Sequence, residues 1–442
     1  MSREMKESGV EWIGKIPEDW EIIPNKHLMK KVKNLCPVYN GEDILSLSMK
    51  GVYVRDPNDE SGKRPTTYNG YQHVQEGDLL MCLFDIDVTP RCVGRVYNDG
   101  LTSPAYSRFV MNKTRAIVDY YYYYYLALDF DKTLLHLSKN MRSSLTESDF
   151  GSINAPVPSH IEQQQIVKFL DFKCTAIDTA IEKTKKSIEK LEEYKKAVIT
   201  KAVTKGIDPN VRMKDAHFLW LTAIPEKWGI YKLNHILDYN HPYPLGDGDH
   251  GSIKADSYVS SGIPFIRVQN LGYAEPINIE NVVYITEVQN QKIQNSTLAP
   301  NDILFAKTGA TIGKTAIMPQ TISRANTTSH IGKITVDTRY YVPKYIFYAL
   351  SSEIGNHQLW SIANKKATRP EVGLDEVKYI KLCIPLSVTE QKQIADFLDE
   401  KLNQINNAIS NHANLIRKLE EYKKSLIYYA VTGKIDCRGE KL

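Results

Sequence analysis

The segment Gly309-Ala310-Thr311-Ile312-Gly313-Lys314-Thr315 has the residue types of a nucleotide-binding phosphate loop. That chemistry needs four residues between the glycines so that backbone N–H groups wrap the phosphates. Here three separate Gly309 from Gly313 and Thr308 stands where the missing glycine would be, so the expectation is a glycine-bounded turn leading into a strand. His250 beside Asp249 has the types of a metal or acid–base pair, yet the histidines do not cluster at ligand spacing, and a polar loop that touches a ligand is the stronger reading. Cys36, Cys82, Cys92, Cys174, Cys383 and Cys437 form no C-x-x-C pair, which argues against a zinc site or a disulfide framework. No Asp-Pro-Pro-Tyr tetrapeptide and no glycine-rich cofactor fingerprint occurs. The tyrosine run 120–125 has the chemistry for stacking on bases. It parallels Tyr345-Ile346-Phe347-Tyr348-Ala349-Leu350, an apolar framework helix by composition, so core packing is expected for both.

What remains is a set of side chains suited to nucleic acid. Arg and Lys fit guanine O6 and N7, Asn and Gln fit adenine, and Ser or Thr bind bases or phosphates. In the first half of the chain the candidates are Ser48, Lys50, Arg55, Lys63, Arg64, Arg91, Arg95, Tyr106, Arg142 and Ser143. In the second half they are His250, Lys254, Arg267, Gln269, Asn270, Lys307, Thr308, Lys314, Arg324, Asn326, Thr328, Lys365, Lys366 and Arg369. A net charge of +4 permits such local patches and excludes little. At 442 residues, with 42% hydrophobic and 24% charged residues, the chain has enough apolar material for two or three domains. The opening Met-Ser-Arg-Glu-Met-Lys-Glu has no apolar signal region and no uninterrupted apolar run spans a membrane, so a soluble, cytoplasmic protein is expected.

The elements that position these residues are announced by an internal repeat. Met5-Lys6-Glu7-Ser8, Trp12 and Ile16-Pro17-Glu18-Asp19-Trp20 return 208 positions later as Met213-Lys214-Asp215-Ala216, Trp220 and Ile224-Pro225-Glu226-Lys227-Trp228. Glu162-Gln163-Gln164-Gln165-Ile166 and Phe169-Leu170-Asp171 return 228 positions later as Glu390-Gln391-Lys392-Gln393-Ile394 and Phe397-Leu398-Asp399. Leu191-Glu192-Glu193-Tyr194-Lys195-Lys196 likewise returns as Leu419-Glu420-Glu421-Tyr422-Lys423-Lys424. The chain therefore reads as two half-molecules, each a variable domain followed by a helix.

Residues 161–203 lack Gly and Pro and carry a heptad pattern. One seam row is Leu170, Ile177, Thr184, Leu191 and Val198; the other is Cys174, Ile181, Ile188, Lys195 and Ala202. The second copy has Leu398, Ile405, His412, Leu419 and Leu426, with Leu402, Ile409, Ile416, Lys423 and Ala430. Each helix would be about 60 Å long at 1.5 Å per residue. If the N-terminal segment continues the second helix as residues 213–228 continue the first, the chain ends meet, the helices run antiparallel, and one domain sits at each end. Lys195 and Lys423 would then lie near opposite domains.

The intervening segments, about 21–155 and 229–385, are strand-rich. Ile44-Leu45-Ser46-Leu47-Ser48 parallels Phe265-Ile266-Arg267-Val268-Gln269, and Gly77-Asp78-Leu79-Leu80 parallels Asn301-Asp302-Ile303-Leu304. Val93-Gly94-Arg95 is set against Ile312-Gly313-Lys314, and Thr102-Ser103-Pro104-Ala105 against Thr327-Thr328-Ser329-His330. The expected fold class is α+β, with two strand-rich domains joined by two long antiparallel helices in a coiled coil, related by a pseudo-two-fold repeat. The expected segments are 1–160, 161–205, 206–387 and 388–442.

Leu245-Gly246-Asp247-Gly248-Asp249-His250-Gly251, Gly262-Ile263-Pro264-Phe265-Ile266-Arg267-Val268, Asp302-Ile303-Leu304-Phe305 and the closing Ile384-Pro385 before Glu390-Gln391 resemble target-recognition domains of type I restriction-modification specificity subunits. The Ile-Pro-Glu-x-Trp openers and Leu-Glu-Glu-Tyr-Lys-Lys helices are similar to that family too, and the resemblance covers nearly the whole chain. The first domain departs from it, because no Asp-Gly-x-His segment precedes Ile44. The resemblance implies a non-catalytic DNA-reading subunit, each domain reading half of a split target and the helices setting the unread spacer. It also implies two methyltransferase subunits docked on the helices and motor-nuclease subunits beside them, with S-adenosylmethionine, ATP and Mg on those partners. A self-sufficient nuclease or methyltransferase, and a scaffold that binds only proteins, are the competing readings.

Overall fold

The computed structural model describes residues 3–56, 65–137, 143–363 and 370–439. It divides into two compact units, Met1–Lys185 with Ala413–Leu442, and Lys186–His412. The divisions fall within both long helices, His160–Lys205 and Val388–Val431. Among the described residues no helix is long and apolar enough to cross a membrane.

Both units are built on one plan. The first holds an antiparallel sheet ordered Met29–Lys31, Ser107–Met111, Leu79–Met81, Val93–Arg95. The second holds Leu245–Asp247, Ile331–Ile334, Ile303–Ala306, Thr315–Ile317 in the same order. The two ladders correct one alignment made from sequence. Val93 pairs with Met81 as Thr315 pairs with Phe305, so Val93-Gly94-Arg95 corresponds to Thr315-Ala316-Ile317, not to 312–314. The other pairings hold: Thr102 Oγ1 donates to the Leu45 carbonyl at 2.8 Å, and Thr327 Oγ1 to that of Ile266 at 2.9 Å.

Behind each sheet lies an apolar helix, Val118–Phe130 or Pro343–Ser351. The tyrosine run lies in the first of these. Tyr120, Tyr121, Tyr124 and Tyr125 are fully buried, each hydroxyl donating to a partner, as a buried phenol requires. Packing, not base stacking, is its role.

Each domain is locked to its helices by the repeated residues. Trp20 and Trp228 are buried, and their indole N–H groups donate to Glu162 at 3.0 Å and Glu390 at 2.9 Å, in the first turns of the two long helices. The next residue does more. Gln163 accepts from the Ile117 N–H at 2.8 Å and donates to the carbonyls of Arg115 and Pro158; Gln391 accepts from Val342 at 2.8 Å and donates to Tyr340 and Pro385. One buried amide thus ties the framework helix, the last strand and the long helix together three times over.

The antiparallel arrangement is visible inside each unit. Tyr120 donates to the carbonyl of Val431, at the end of the second long helix, whereas Tyr345 donates to that of Val203, at the end of the first. In the first unit Leu170, Cys174, Ile177 and Ile181 share a core with Leu426, Ile427, Ala430 and Val431. In the second, Ile199, Ala202 and Val203 share one with Leu398, Leu402 and Ile405. Ile166, Phe169 and Ile394 are buried as well, because the helix stripe widens beyond the two seam rows where it meets a domain. The two seam lysines differ. Lys195 is buried and pairs with Glu275 of its domain at 2.8 Å, while Lys423 pairs with Asp178 on the neighbouring helix at 2.7 Å.

The N-terminal hairpin, Met5–Glu7 with Lys15–Pro17, repeats the register of Met213–Phe218 with Leu221–Pro225: Met5 faces Pro17 as Met213 faces Pro225. It seats on the end of the second long helix, where Tyr428 donates to the Trp12 carbonyl at 3.0 Å. Arg3 fastens it, pairing with Asp19 and Glu162 and lying over the Trp20 ring.

Replacing a buried Trp removes a large side chain and its hydrogen bond. Trp228→Ala is expected to destabilise the second unit by about 3–5 kcal/mol, read as a lowered urea midpoint for that unit. Gln163→Leu removes the side-chain partner of the Ile117 N–H and of the Arg115 and Pro158 carbonyls, at a cost of roughly 3 kcal/mol. Hydrogen exchange should then accelerate in Val118–Phe130 and stay unchanged in Pro343–Ser351.

Candidate nucleic-acid interface

In the second domain, strands Leu245–Asp247 and Ile303–Ala306 are parallel to each other and end at one edge of the sheet, where Ile331–Ile334 and Thr315–Ile317 begin. Loops 248–254, 307–314 and 328–330 therefore converge there. Asp249 bridges to Thr328, the Lys307 N–H donates to the His330 carbonyl at 2.8 Å, and the Val372 N–H donates to the Lys307 carbonyl at 2.8 Å. Strand Ile263–Ile266 runs parallel to Asn326–Thr327, so Arg267 and Gln269 leave their sheet at the same end as Thr328. His250, Lys254 and Gln269 are exposed at this edge, and Thr308, Lys314 and Thr328 are half-buried.

Loop 248–254 is held stiffly. The Asp249 carboxylate accepts from the N–H groups of Gly251, Ser252 and Ile253 and from the Ser252 hydroxyl. Burial would raise its pKa, but the bonds from Ser252, Ile253 and Gly251 prevail and hold it below the usual carboxylate range. At Gly248 a Cβ would sit 2.0 Å from the Thr327 carbonyl oxygen, so only glycine lets the loop press against that strand. His250 does not pair with Asp249. Its Nε2 lies 3.2 Å from Asp247 Oδ1, and the other oxygen of Asp247 takes the buried Lys307 ammonium.

Other candidates have their polar groups engaged inside the domain. Asn270 is 1% exposed, its amide donating to the Asn278 carbonyl and accepting from the Arg267 N–H. Asn326 is fully buried among Ser296, Asn290 and Ile293. Lys307 is 4% exposed and ion-paired. For these three the structure corrects the surface placement expected from sequence: the reason is that each satisfies a backbone or a charge that burial would otherwise leave unpaired. Arg267 donates to the Asn281 carbonyl at 3.0 Å and lies over Tyr258. Arg324, at the opposite end of its strand, pairs with Glu287 at 2.7 Å. The phosphate-loop look-alike is a single 3-10 turn, Gly309–Thr311, that enters strand Thr315–Ile317 rather than a helix.

In the first domain the equivalent edge carries loop 82–92 and the hairpin Leu45–Ser48 with Gly51–Val54. Ser48 accepts from the Lys50 N–H at 3.1 Å, shaping a tip on which Lys50 is exposed. Arg91 reaches the Met49 carbonyl at 3.4 Å and lies over Phe130, and the Ser143 carbonyl accepts from Ile86 at 3.1 Å, so tip, loop and Ser143 lie together. Arg55 is half-buried. Arg95 is held away by Asp119 and the Tyr97 ring, and Tyr106 packs against the Leu45, Val74, Leu80 and Val96 cluster. Lys63, Arg64, Arg142, Lys365, Lys366 and Arg369 lie outside the described residues.

Sequence reasoning missed Asp247 and His330, whose ring accompanies the Thr308 hydroxyl at 3.3 Å. An aspartate three residues before a histidine carries no distinctive signal in a loop. It also missed the buried basic–acidic pair shared by the sheets, Arg108 with Asp78 at 2.6 Å and Lys333 with Asp302 at 3.8 Å. The alternation of Arg108 and Lys333 with apolar neighbours was the available clue. Among the described residues no group of three or more His, Cys, Asp or Glu side chains is placed to hold a metal.

Residues 17–193 and 225–415 match the type I restriction modification DNA specificity domain. The chain is 25% identical over 437 residues to the MjaVIII specificity subunit of Methanocaldococcus jannaschii, covering 96% of this chain and 95% of that one. It is 24% identical to the EcoBI specificity subunit of Escherichia coli over 60% of this chain and 56% of that one. In fold it resembles a chain from a structure of the type I R-M system, with a TM-score of 0.66 at 13% identity, covering 95% and 99% of the two chains. An HsdS subunit from Thermoanaerobacter tengcongensis gives a TM-score of 0.50 at 13% identity, covering 95% and 98%. With two copies of the family domain, each carrying a loop-lined sheet edge and each tied to the long helices, the chain belongs to the type I restriction-modification DNA specificity family and serves as a DNA-recognition subunit.

Proposed function

We propose that each unit reads one half of a split, asymmetric DNA target through its loop-lined sheet edge, and that the long helices set the unread spacer. The observation that carries this reading is the repeated build: the same sheet, locked by the same Trp–Glu and Gln bonds, ends in loops that differ in residue type between the two copies. A shared framework with divergent loops is what two readers of different half-sites need. Exposed His250, Lys254, Gln269 and Lys50, with Thr308, Lys314, Thr328, Arg55 and Ser48 beside them, are the proposed DNA contacts. Asn270, Asn326 and Lys307 support the loops rather than touch the duplex.

The chemistry is assigned to partners. Two methyltransferase subunits would dock along the helices and bring S-adenosylmethionine to the adenines, and motor-nuclease subunits with ATP and Mg would cut. A cytoplasmic location follows from such a role.

Exchange of residues 229–385 for the same segment of a relative is expected to change one half of the target only. The measurement is a map of modified adenines in DNA treated with the complex reconstituted with its methyltransferase subunits; a change in both halves sinks modular reading. Lys254→Ala should weaken binding to all sequences alike and reduce the slope of log affinity against log salt by about one, measured by titration at several salt concentrations.

A further inference from the structure

The recognition reading leaves open which side chain of the second domain distinguishes one base from another. His250 stands apart from its neighbours there. Its side chain is 74% exposed, yet it sits on a loop whose backbone is fixed on both sides, by the Asp249 carboxylate within and by the Thr327 carbonyl against Gly248. An exposed side chain on such a loop would ordinarily sample several rotamers, and ordering it on binding would weaken affinity. His250 is already oriented, because Asp247 Oδ1 takes its Nε2 at 3.2 Å. Asp247 is in turn 17% exposed and bonded through its second oxygen to Lys307, whose side chain is 5% exposed. The buried ammonium thus fixes the carboxylate, and the carboxylate fixes the ring.

We propose that His250 is the base-discriminating residue of the second domain and that Asp247, held by Lys307, is its positioning residue. This rests on the recognition reading above. An imidazole that donates its Nε2–H to Asp247 presents Nδ1 as an acceptor, which suits an exocyclic amine, N6 of adenine or N4 of cytosine, at the major-groove edge. The arrangement belongs to one domain only. By strand register, the first domain has Lys33 where the second has Asp247, and Leu83 where it has Lys307.

The test uses the full chain reconstituted with its methyltransferase subunits, once the target has been mapped. Competition binding is measured against duplexes substituted one base pair at a time in both halves, for wild type, His250→Ala, Asp247→Asn and the double variant. His250→Ala removes an exposed side chain, so folding is not at risk. It is expected to lose about tenfold discrimination at one base pair of the half read by residues 229–385, with the other half unchanged. Asp247→Asn should lose discrimination at that same base pair, and the double variant should lose no more than His250→Ala alone. Additive losses in the double variant would make Asp247 a merely structural residue and overturn its assignment. Unchanged discrimination in His250→Ala, or an equal loss for every sequence as from a phosphate contact, would overturn the assignment of His250. A wild-type complex indifferent to substitutions in both halves would instead overturn the recognition reading itself.

Discussion

The structure hangs on a buried glutamine amide, with a carboxylate beside it, at the start of each long helix. Glu162-Gln163 and Glu390-Gln391 lie where the last domain strand becomes helix, and their side chains reach the opener tryptophan and the first turn of the framework helix. A polar group in a low-dielectric interior is costly unless it is fully bonded, so each of these bonds also forbids alternative dockings of the domain. Hydrophobic contact alone would hold domain and helix together without specifying their register. The glutamine specifies it, because its oxygen and both amide hydrogens have one geometry in which all are satisfied.

That lock explains how the rest can vary. The sheets, the framework helices and the Trp–Glu bonds recur, while the loops at the sheet edges share almost nothing beyond the strand ends they leave from. Asp249 and Gly248 organise a loop in the second domain, and the first domain builds its edge from a two-stranded hairpin instead. Recognition surfaces can diverge in this way because the interior hydrogen bonds that support them, such as those of Asn270 and Asn326, are local to each domain.

The asymmetries between the copies are also local. Arg3 clamps Asp19, Glu162 and the Trp20 ring in the first unit, where the repeat places Val211 in the second. The first unit joins the N-terminal hairpin to the end of the second long helix without a direct chain link between them, and Arg3 adds its ion pairs beside that hairpin. In the second, the hairpin follows its helix directly.

The repeat, the two long helices and their antiparallel sense were legible in the sequence alone, since each depends on periodicity or on the order of segments. A heptad pattern is a property of neighbours along the chain, and the matching of the N-terminal hairpin to residues 213–228 required only that equivalent sequences pack equivalently. Tertiary structure alone decided which polar side chains face outward. Buried Asn270 and Lys307 carry the same functional groups as exposed Gln269 and Lys254, and nothing local separates the buried pair from the surface pair. Likewise His250 has an aspartate both one and three residues before it, and the turn of the loop gave it the distant one. A loop side chain finds its partner through strands remote in sequence, and that geometry exists only once the sheet has closed.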